Sequence, residues 1–262
     1  MKLSSLEPLS SFALLGPGFG DGDSLLLADL RESIDSPQLI YAPFESAGHA
    51  PRTFSCRSIT PVQIEVDVSI SNASVTLRDT GYVEAIERIR SAIAAGDVYQ
   101  VCYTLRADIS ATTGADLVAL LCRNGLPRFL AWVRFPDGHE FVSASPELFF
   151  ETNERRVRTE PMKGTARSGD CRALELSEKD QAELAMITDL LRNDLTPICK
   201  PRSVKVVCER RTIELPYALQ TVSDIEGELR TGITPLDVLG SLHPGGSVTG
   251  APKEAALEFI RE

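Results

Sequence analysis

Between Phe129 and Met162 three stretches of strand-forming sequence follow one another: Phe129–Phe135, Glu140–Phe150 and Arg155–Met162. Only four residues separate each from the next. A connection that keeps strands parallel needs a dozen residues or more, usually a helix. The three runs therefore read as antiparallel hairpins, and a chain built around them is not a doubly wound parallel sheet. Helical patterns lie on both sides of them, so the expected class is α+β. With 262 residues, 43% apolar and 24% charged, the chain has ordinary globular proportions and enough length to bury a sizeable core unaided.

The helical patterns are regular. Tyr82, Ile86, Ile89 and Ile93 step by four, three and four residues, which predicts a helix stopped by Gly96. Tyr99, Val101, Tyr103, Leu105, Ala107 and Ile109 then alternate with more polar neighbours. That predicts a half-buried strand with Gln100, Cys102 and Thr104 on its other face. A second helix is expected over Ala115–Arg123. A longer one is expected from Ser177 to about Arg192, with Asp180 as a capping-box-like start signal. Ser203–Cys208 reads as a strand, and Thr234-Pro-Leu-Asp237 as a helix start with Pro at the first helical position. Residues 1–80 are rich in Ser, Pro and Gly, with short apolar runs such as Ser24–Leu27 and Gln38–Tyr41. They are expected to be a loop-rich region with small strands that completes the sheets of a main domain at 81–262.

Charge and cysteine usage exclude several functions. A formal net charge of −10 repels polyanions, so nucleic acid is not an expected partner. Six cysteines lie far apart without a C-x-x-C pair, and three histidines are scattered, which argues against a zinc site and for reduced thiols. No apolar run approaches the roughly 18 residues of a membrane span, and no leader pattern opens the chain. A soluble, cytoplasmic protein without a membrane partner is the expectation. The run Gly16–Gly22 places its glycines at every second position, not as a dinucleotide fingerprint, and reads as a flexible loop.

Four features carry chemistry. Glu183 shares a helical face with Leu184, Ile187, Leu190 and Leu191. A carboxylate in an apolar stripe needs a partner, either an arginine or a hard cation such as Mg²⁺. Lys163 is one of only six lysines against 21 arginines and stands in Thr159-Glu-Pro-Met-Lys-Gly-Thr165, at a strand end before a glycine. Desolvated there, it could act as a nucleophile; in water it would be a turn lysine. Glu147 follows Ser143-Ala-Ser-Pro146 and by strand parity shares a face with Phe149. It reads either as a general acid or base or as a solvated residue on an edge strand. His243-Pro-Gly-Gly-Ser-Val-Thr-Gly-Ala-Pro-Lys253 brings glycines and hydroxyls to the start of a helix, a composition suited to holding an anion.

Five segments occur in the order known from one family: Ala95–Gln100, Ser143–Phe149, Pro161–Thr165, Ala182–Asp194 and Pro244–Lys253. Together they resemble the chorismate-utilising enzymes, over about Tyr82 to the C-terminus. The resemblance implies an anthranilate synthase component I-like, chorismate-binding fold with two antiparallel sheets packed face to face and helices outside. Within the family, Lys163 before Gly164-Thr165 is similar to the aminodeoxychorismate synthases, where anthranilate synthases usually carry Ala. Gln100 stands where water-activating members keep a lysine, and Gln220 where anthranilate synthases usually show His. Both lean towards an aminating member of the aminodeoxychorismate type.

The roles that follow are implied by the resemblance. Glu183 would hold Mg²⁺ against the ring carboxylate of chorismate. Gln100, Gly164, Thr165, Thr249, Gly250 and Ala251 would line the substrate. Glu147 would act as general acid and Lys163 as covalent nucleophile. Ammonia would come from a glutamine amidotransferase subunit, and the product would serve 4-aminobenzoate and folate synthesis. Family members also continue past the helix after Ala251-Pro-Lys253, with more strands and a second magnesium-binding glutamate, so a C-terminally truncated domain is expected. Anthranilate synthase, or an inactive member acting only in binding, are the alternatives.

Overall fold

A computed structural model describes residues 2–6, 12–15, 25–32, 39–41, 52–63, 65, 74–77, 81–105, 107–110 and 113–261. The glycine run at 16–22 lies outside the described residues. In chain order the first strands are β1 (Phe12–Leu15), β2 (Leu25–Glu32), β3 (Leu39–Tyr41), β4 (Arg52–Val62) and β5 (Ser74–Leu77). Next come α1 (Tyr82–Ala95), β6 (Gln100–Val101), β7 (Ala107–Ser110) and α2 (Gly114–Cys122). The central strands are β8 (Phe129–Arg134), β9 (Glu140–Ser145), β10 (Leu148–Asn153), β11 (Arg156–Glu160) and β12 (Met162–Ala166). The rest are α3 (Cys171–Leu176), α4 (Glu178–Leu195), β13 (Lys205–Leu215), β14 (Ala218–Glu228), α5 (Pro235–Leu242), β15 (Gly250–Ala251) and α6 (Lys253–Arg261). No described helix is long and apolar enough to cross a membrane.

The described residues form two compact units. The first takes them from 1–74, 109–147 and 215–217, the second from 75–108, 148–214 and 218–262. In the first, an antiparallel sheet runs β3-β4-β2-β1-β8-β9. Strand β4 has eleven residues, longer than the small strands expected of the N-terminal region. Its core gathers Leu6, Phe12, Leu14, Val118, Leu130 and Trp132. The indole N–H of Trp132 donates to Glu140 Oε2 at 2.8 Å, so the buried ring leaves no polar group unmet. Helix α2 starts at a capping box, in which Thr113 and Asp116 satisfy each other's backbone N–H groups.

In the second unit the sheet order is β10-β11-β14-β12, with β13 also paired to β14. Two prolines cut runs that read as continuous in sequence. Pro146 ends β9, and β10 begins after Glu147 in the other unit, so Glu147 occupies a bend and the strand-parity argument for its side chain does not hold. Pro161 separates β11 from β12, both of which pair with β14. A proline donates no ladder hydrogen bond, which is why strands break there.

The expected strand over Tyr99–Ile109 is also corrected. It holds two separate short strands, β6 paired with β15 and β7 paired with β5. Tyr99 is 70% exposed and Leu105 is also exposed, so the alternation did not mark a buried face. Strand β13 runs on to Leu215 and α4 to Leu195, both past their expected ends. The cap of α4 is as expected: Ser177 Oγ accepts from the Asp180 N–H at 3.3 Å. Gly96 ends α1 in the left-handed conformation.

Strand β14 is the hub of this unit, although its sequence is polar. Val222 and Ile225 are fully buried, and so nearly are Thr221, Ser223 and Asp224. On the side towards α4, Thr188 Oγ1 donates to Ser223 Oγ (3.0 Å), which donates to Glu209 O (2.5 Å). On the other, Asp224 accepts from Arg211 Nε and Arg158 at 2.6 Å each, and both arginines also bond the buried Glu160. Hydrogen bonding from Arg211, helped by Arg158 and opposed by burial, holds the Asp224 carboxyl at about 2, below its usual 3.8. The sign follows directly: this stabilisation is complete above about pH 4 and is lost as pH falls towards 2. Asp224→Asn should therefore cost about 2 kcal/mol at pH 7, a gap that narrows below pH 4. Urea melts of both proteins across that range check it; a gap independent of pH refutes the ionic account.

Candidate active site

Helix α4 organises the second unit. Leu184, Ile187, Leu191 and Leu195 are buried, and the last three build its core with Val157, Ile225, Val238 and Leu242. Each such side chain contributes about 1.5–3 kcal/mol by leaving water. Glu183 stands at the border of this stripe, with its side chain 32% exposed. Its partners are lysines and not an arginine: Lys163 Nζ lies 3.8 Å from Oε2 and Lys179 Nζ 3.7 Å from Oε1.

Lys163 sits inside β12, opposite Thr221 of β14, and is not a turn residue. Its side chain is 24% exposed, against 83% for Lys179. The pairing of β12 slips after Lys163, at Gly164, whose φ is +85°. A Cβ there would meet Asp180 Cβ at 3.2 Å, so a residue without one lets the bulge form against α4. Past the bulge, exposed Thr165 accepts a hydrogen bond from Gln220 Nε2 at 2.9 Å.

A second cluster assembles around the glycine-rich loop. Strand β15 pairs with β6, setting Gly250 opposite Val101 and Ala251 opposite Gln100. The Thr249 and Ala251 carbonyls accept from the Cys102 and Tyr99 N–H groups at 2.8 and 2.7 Å. Gly250 is required by contact: a Cβ would fall 2.1 Å from Gln100 O. Thr249 is fully buried and its hydroxyl donates to Gly245 O at 3.0 Å. Among the described residues, the N–H groups of Gly246, Ser247 and Thr249 have no protein acceptor. Clustered free N–H groups suit an anion.

The two clusters share one face of α4. A Cβ on Gly246 would touch Leu190 at 3.0 Å, and Leu190 lies two turns, roughly 10 Å, along the helix from Glu183. One turn further, Asp194 Oδ2 pairs with Lys253 Nζ at 2.6 Å. Lys253 also donates to Leu242 O at 3.3 Å, and Ser241 Oγ donates to Asp194 O. The loop between α5 and α6 is thus tied to α4. This pair was not singled out from sequence, although both residues end matched segments, Ala182–Asp194 and Pro244–Lys253. Glu147 belongs to the first unit; it is half-buried, and its N–H donates to Ser145 Oγ at 3.2 Å.

Residues 41–262 match the model of the chorismate binding enzymes. The chain belongs to that family. It is 31% identical over 214 residues to aminodeoxychorismate synthase component 1 of Bacillus subtilis, covering 78% of this chain and 45% of that one. It is 36% identical over 191 residues to anthranilate synthase component 1 of Thermus thermophilus, covering 69% and 41%. The chain thus spans under half the length of these curated relatives. Among solved structures, anthranilate synthase component I of Streptococcus pneumoniae superposes with a TM-score of 0.66 at 28% identity, covering 74% of this chain and 45% of that one. The menaquinone-specific isochorismate synthase of Escherichia coli shares the fold, with a TM-score of 0.74 at 16% identity, covering 99% and 74%. Mixed helices and antiparallel sheets are the fold this chain shares with these solved structures.

Two substitutions probe this geometry. Lys253→Ala leaves a largely buried carboxylate without its counter-ion. It should speed hydrogen exchange at Thr249–Ala251 while the β13–β14 amides stay protected; unchanged exchange at the loop would refute the anchoring role. Gly164→Ala forces a side chain into left-handed backbone and should cost about 1–2 kcal/mol, read as a lowered denaturation midpoint.

Proposed function

We propose that this chain is the chorismate-binding part of an aminodeoxychorismate synthase component 1, converting chorismate and ammonia to 4-amino-4-deoxychorismate on the way to 4-aminobenzoate and folate. A glutamine amidotransferase subunit would supply the ammonia. The observation that carries the reading is the half-buried Lys163 amine, 3.8 Å from Glu183 and held between β14 and α4. A lysine in that setting is a candidate nucleophile, which splits one hard displacement into two easier ones.

In this reading the deprotonated Lys163 amine bonds to ring carbon C2, the ring double bonds shift, and the C4–O bond breaks. Glu147 donates the proton with which the hydroxyl leaves as water. Ammonia then bonds to C4 and gives up a proton. The double bonds shift back, the C2–N bond breaks, and Lys163 recovers a neutral amine. The free N–H groups at Gly246, Ser247 and Thr249, with Gly250 and Ala251 beside Gln100, would receive the substrate's carboxylates; Gly164 and Thr165 would line the ring.

Glu183 fits a role as magnesium ligand. Its ion pairs, at 3.7 and 3.8 Å, are too long to be hydrogen bonds, so both oxygens remain open to a hard cation. Among the described residues no three acidic, imidazole or thiol groups are placed to hold a metal ion by themselves. Magnesium commonly takes only one or two carboxylates and completes its shell with substrate and water. When bound, it would neutralise substrate carboxylate charge and ease departure of the hydroxyl.

Mass spectrometry of the chain with chorismate and Mg²⁺, without ammonia, tests the nucleophile. A covalent adduct should map to Lys163 and vanish in Lys163→Ala; folded protein without any adduct removes Lys163 from the chemistry. A second reading, anthranilate synthase component 1, is favoured by relatives at 34–36% identity. Ammonia-dependent anthranilate formation that survives Lys163→Ala would select it.

A further inference from the structure

Away from Lys163 and Glu183, a groove of about 1070 Å³ lies over one end of the second unit's sheet. It is bounded by the β10–β11 turn, the segment between α4 and β13, and the ends of β13 and β14. Five cationic side chains line it: Arg155, Arg156, Lys200, Arg202 and Lys205. Lys200 is paired with Glu228. Glu154, Glu226 and Glu228 line it too, and Glu228 is also stabilised by the charges of Arg155 and Arg156, whereas Arg202 and Lys205 make no ion pair among the described residues. In a chain of net charge −10, five cations against three carboxylates leave this groove with a local positive excess, which attracts an approaching acidic group.

The backbone points the same way. Among the described residues, Glu154 (φ 50°) and Arg202 (φ 62°) are the non-glycine residues with positive φ, and both line this groove. Such backbone costs about 1–2 kcal/mol per residue and gathers at ligand clamps. The wall is also braced. The Lys200 N–H donates to Glu228 O at 2.7 Å, and Ser203 Oγ accepts from the Glu228 N–H at 3.1 Å while donating to Lys200 O at 2.8 Å.

The lining selects among ligands. Small-molecule sites of roughly 300–1,000 Å³ have mostly apolar walls with a few polar groups. Here Pro201 and Val207 are the only apolar side chains. An extended chain bearing several carboxylates matches cations dispersed over the turn, the α4–β13 segment and the start of β13, and each guanidinium can grip a carboxylate with two parallel bonds. We propose that this groove docks an acidic, extended segment of a partner protein, with Asp and Glu side chains pairing to Arg155, Arg156, Arg202 and Lys205. This holds whichever chorismate reaction the chain performs.

Fluorescence anisotropy with a labelled octaglutamate peptide and the whole chain tests it. Binding should saturate, weaken as salt rises, and fall by about tenfold or more in Arg155→Glu/Arg202→Glu. Arg172→Glu, on α3 outside the groove, should leave it unchanged. Arg156→Gln/Lys205→Gln gives an independent variant that introduces no negative charge, and thermal melts confirm that each variant is folded. No binding to the wild-type chain, binding that survives both groove variants, or equal loss with Arg172→Glu overturns the proposal. So does inorganic pyrophosphate binding more tightly than the peptide, which would make the groove a small-anion site.

Discussion

The burial of one face of α4 against β14 is the constraint on which the candidate site depends. Ile187, Leu191 and Leu195 are driven from water together, and their close packing fixes the helix's rotation. Once its angle is set, so is everything on its border. Glu183 must face Lys163 of β12, Leu190 must meet Gly246, and Asp194 must meet Lys253. Three separated segments of chain are brought to one helical face by an apolar contact that takes no part in chemistry itself. Polar bonds then refine the fit: Thr188, Ser223 and the Glu209 carbonyl form a hydrogen-bonded line between α4 and the sheet.

The charges divide into two kinds of work. The Arg158–Glu160–Asp224–Arg211 network is closed: each buried carboxylate has both arginines as partners, at 2.6 and 2.7 Å at their closest. Satisfied in that way, buried charge stiffens a sheet. Around Glu183 the pairs are long and the carboxylate oxygens open, and the N–H groups of Gly246, Ser247 and Thr249 are unclaimed among the described residues. Open valences of both signs beside one helix are what a site for a multiply charged substrate requires, and a core does not tolerate them.

Much of the candidate site is legible in local sequence. Glu183 stood out because a carboxylate interrupted an apolar stripe, and Lys163 because lysine is scarce in this chain. The glycine loop stood out because glycines and hydroxyls preceded a helix. Those are local signals. Strand β14 escaped notice for the opposite reason. Its buried Thr221, Ser223 and Asp224 look like surface residues in sequence, and only their hydrogen bonds, to residues distant in the chain, make burial affordable. The alternation around Tyr99–Ile109 misled because pairing with β15 lasts two residues, and the next paired stretch, β7, joins a different strand, β5.

Local sequence alone determined where α4 begins, which of its faces is apolar and where Gly96 ends α1, whereas the breaks at Pro146 and Pro161 fall inside runs that read as continuous strands. The former follow from backbone sterics and side-chain spacing within a few residues. Tertiary structure decided which cations meet Glu183, which carboxylate holds Lys253, and that the stretches before and after Pro146 belong to different units. Pairings between distant segments depend on how whole elements pack, and packing is a property of the folded chain, not of any short stretch of it.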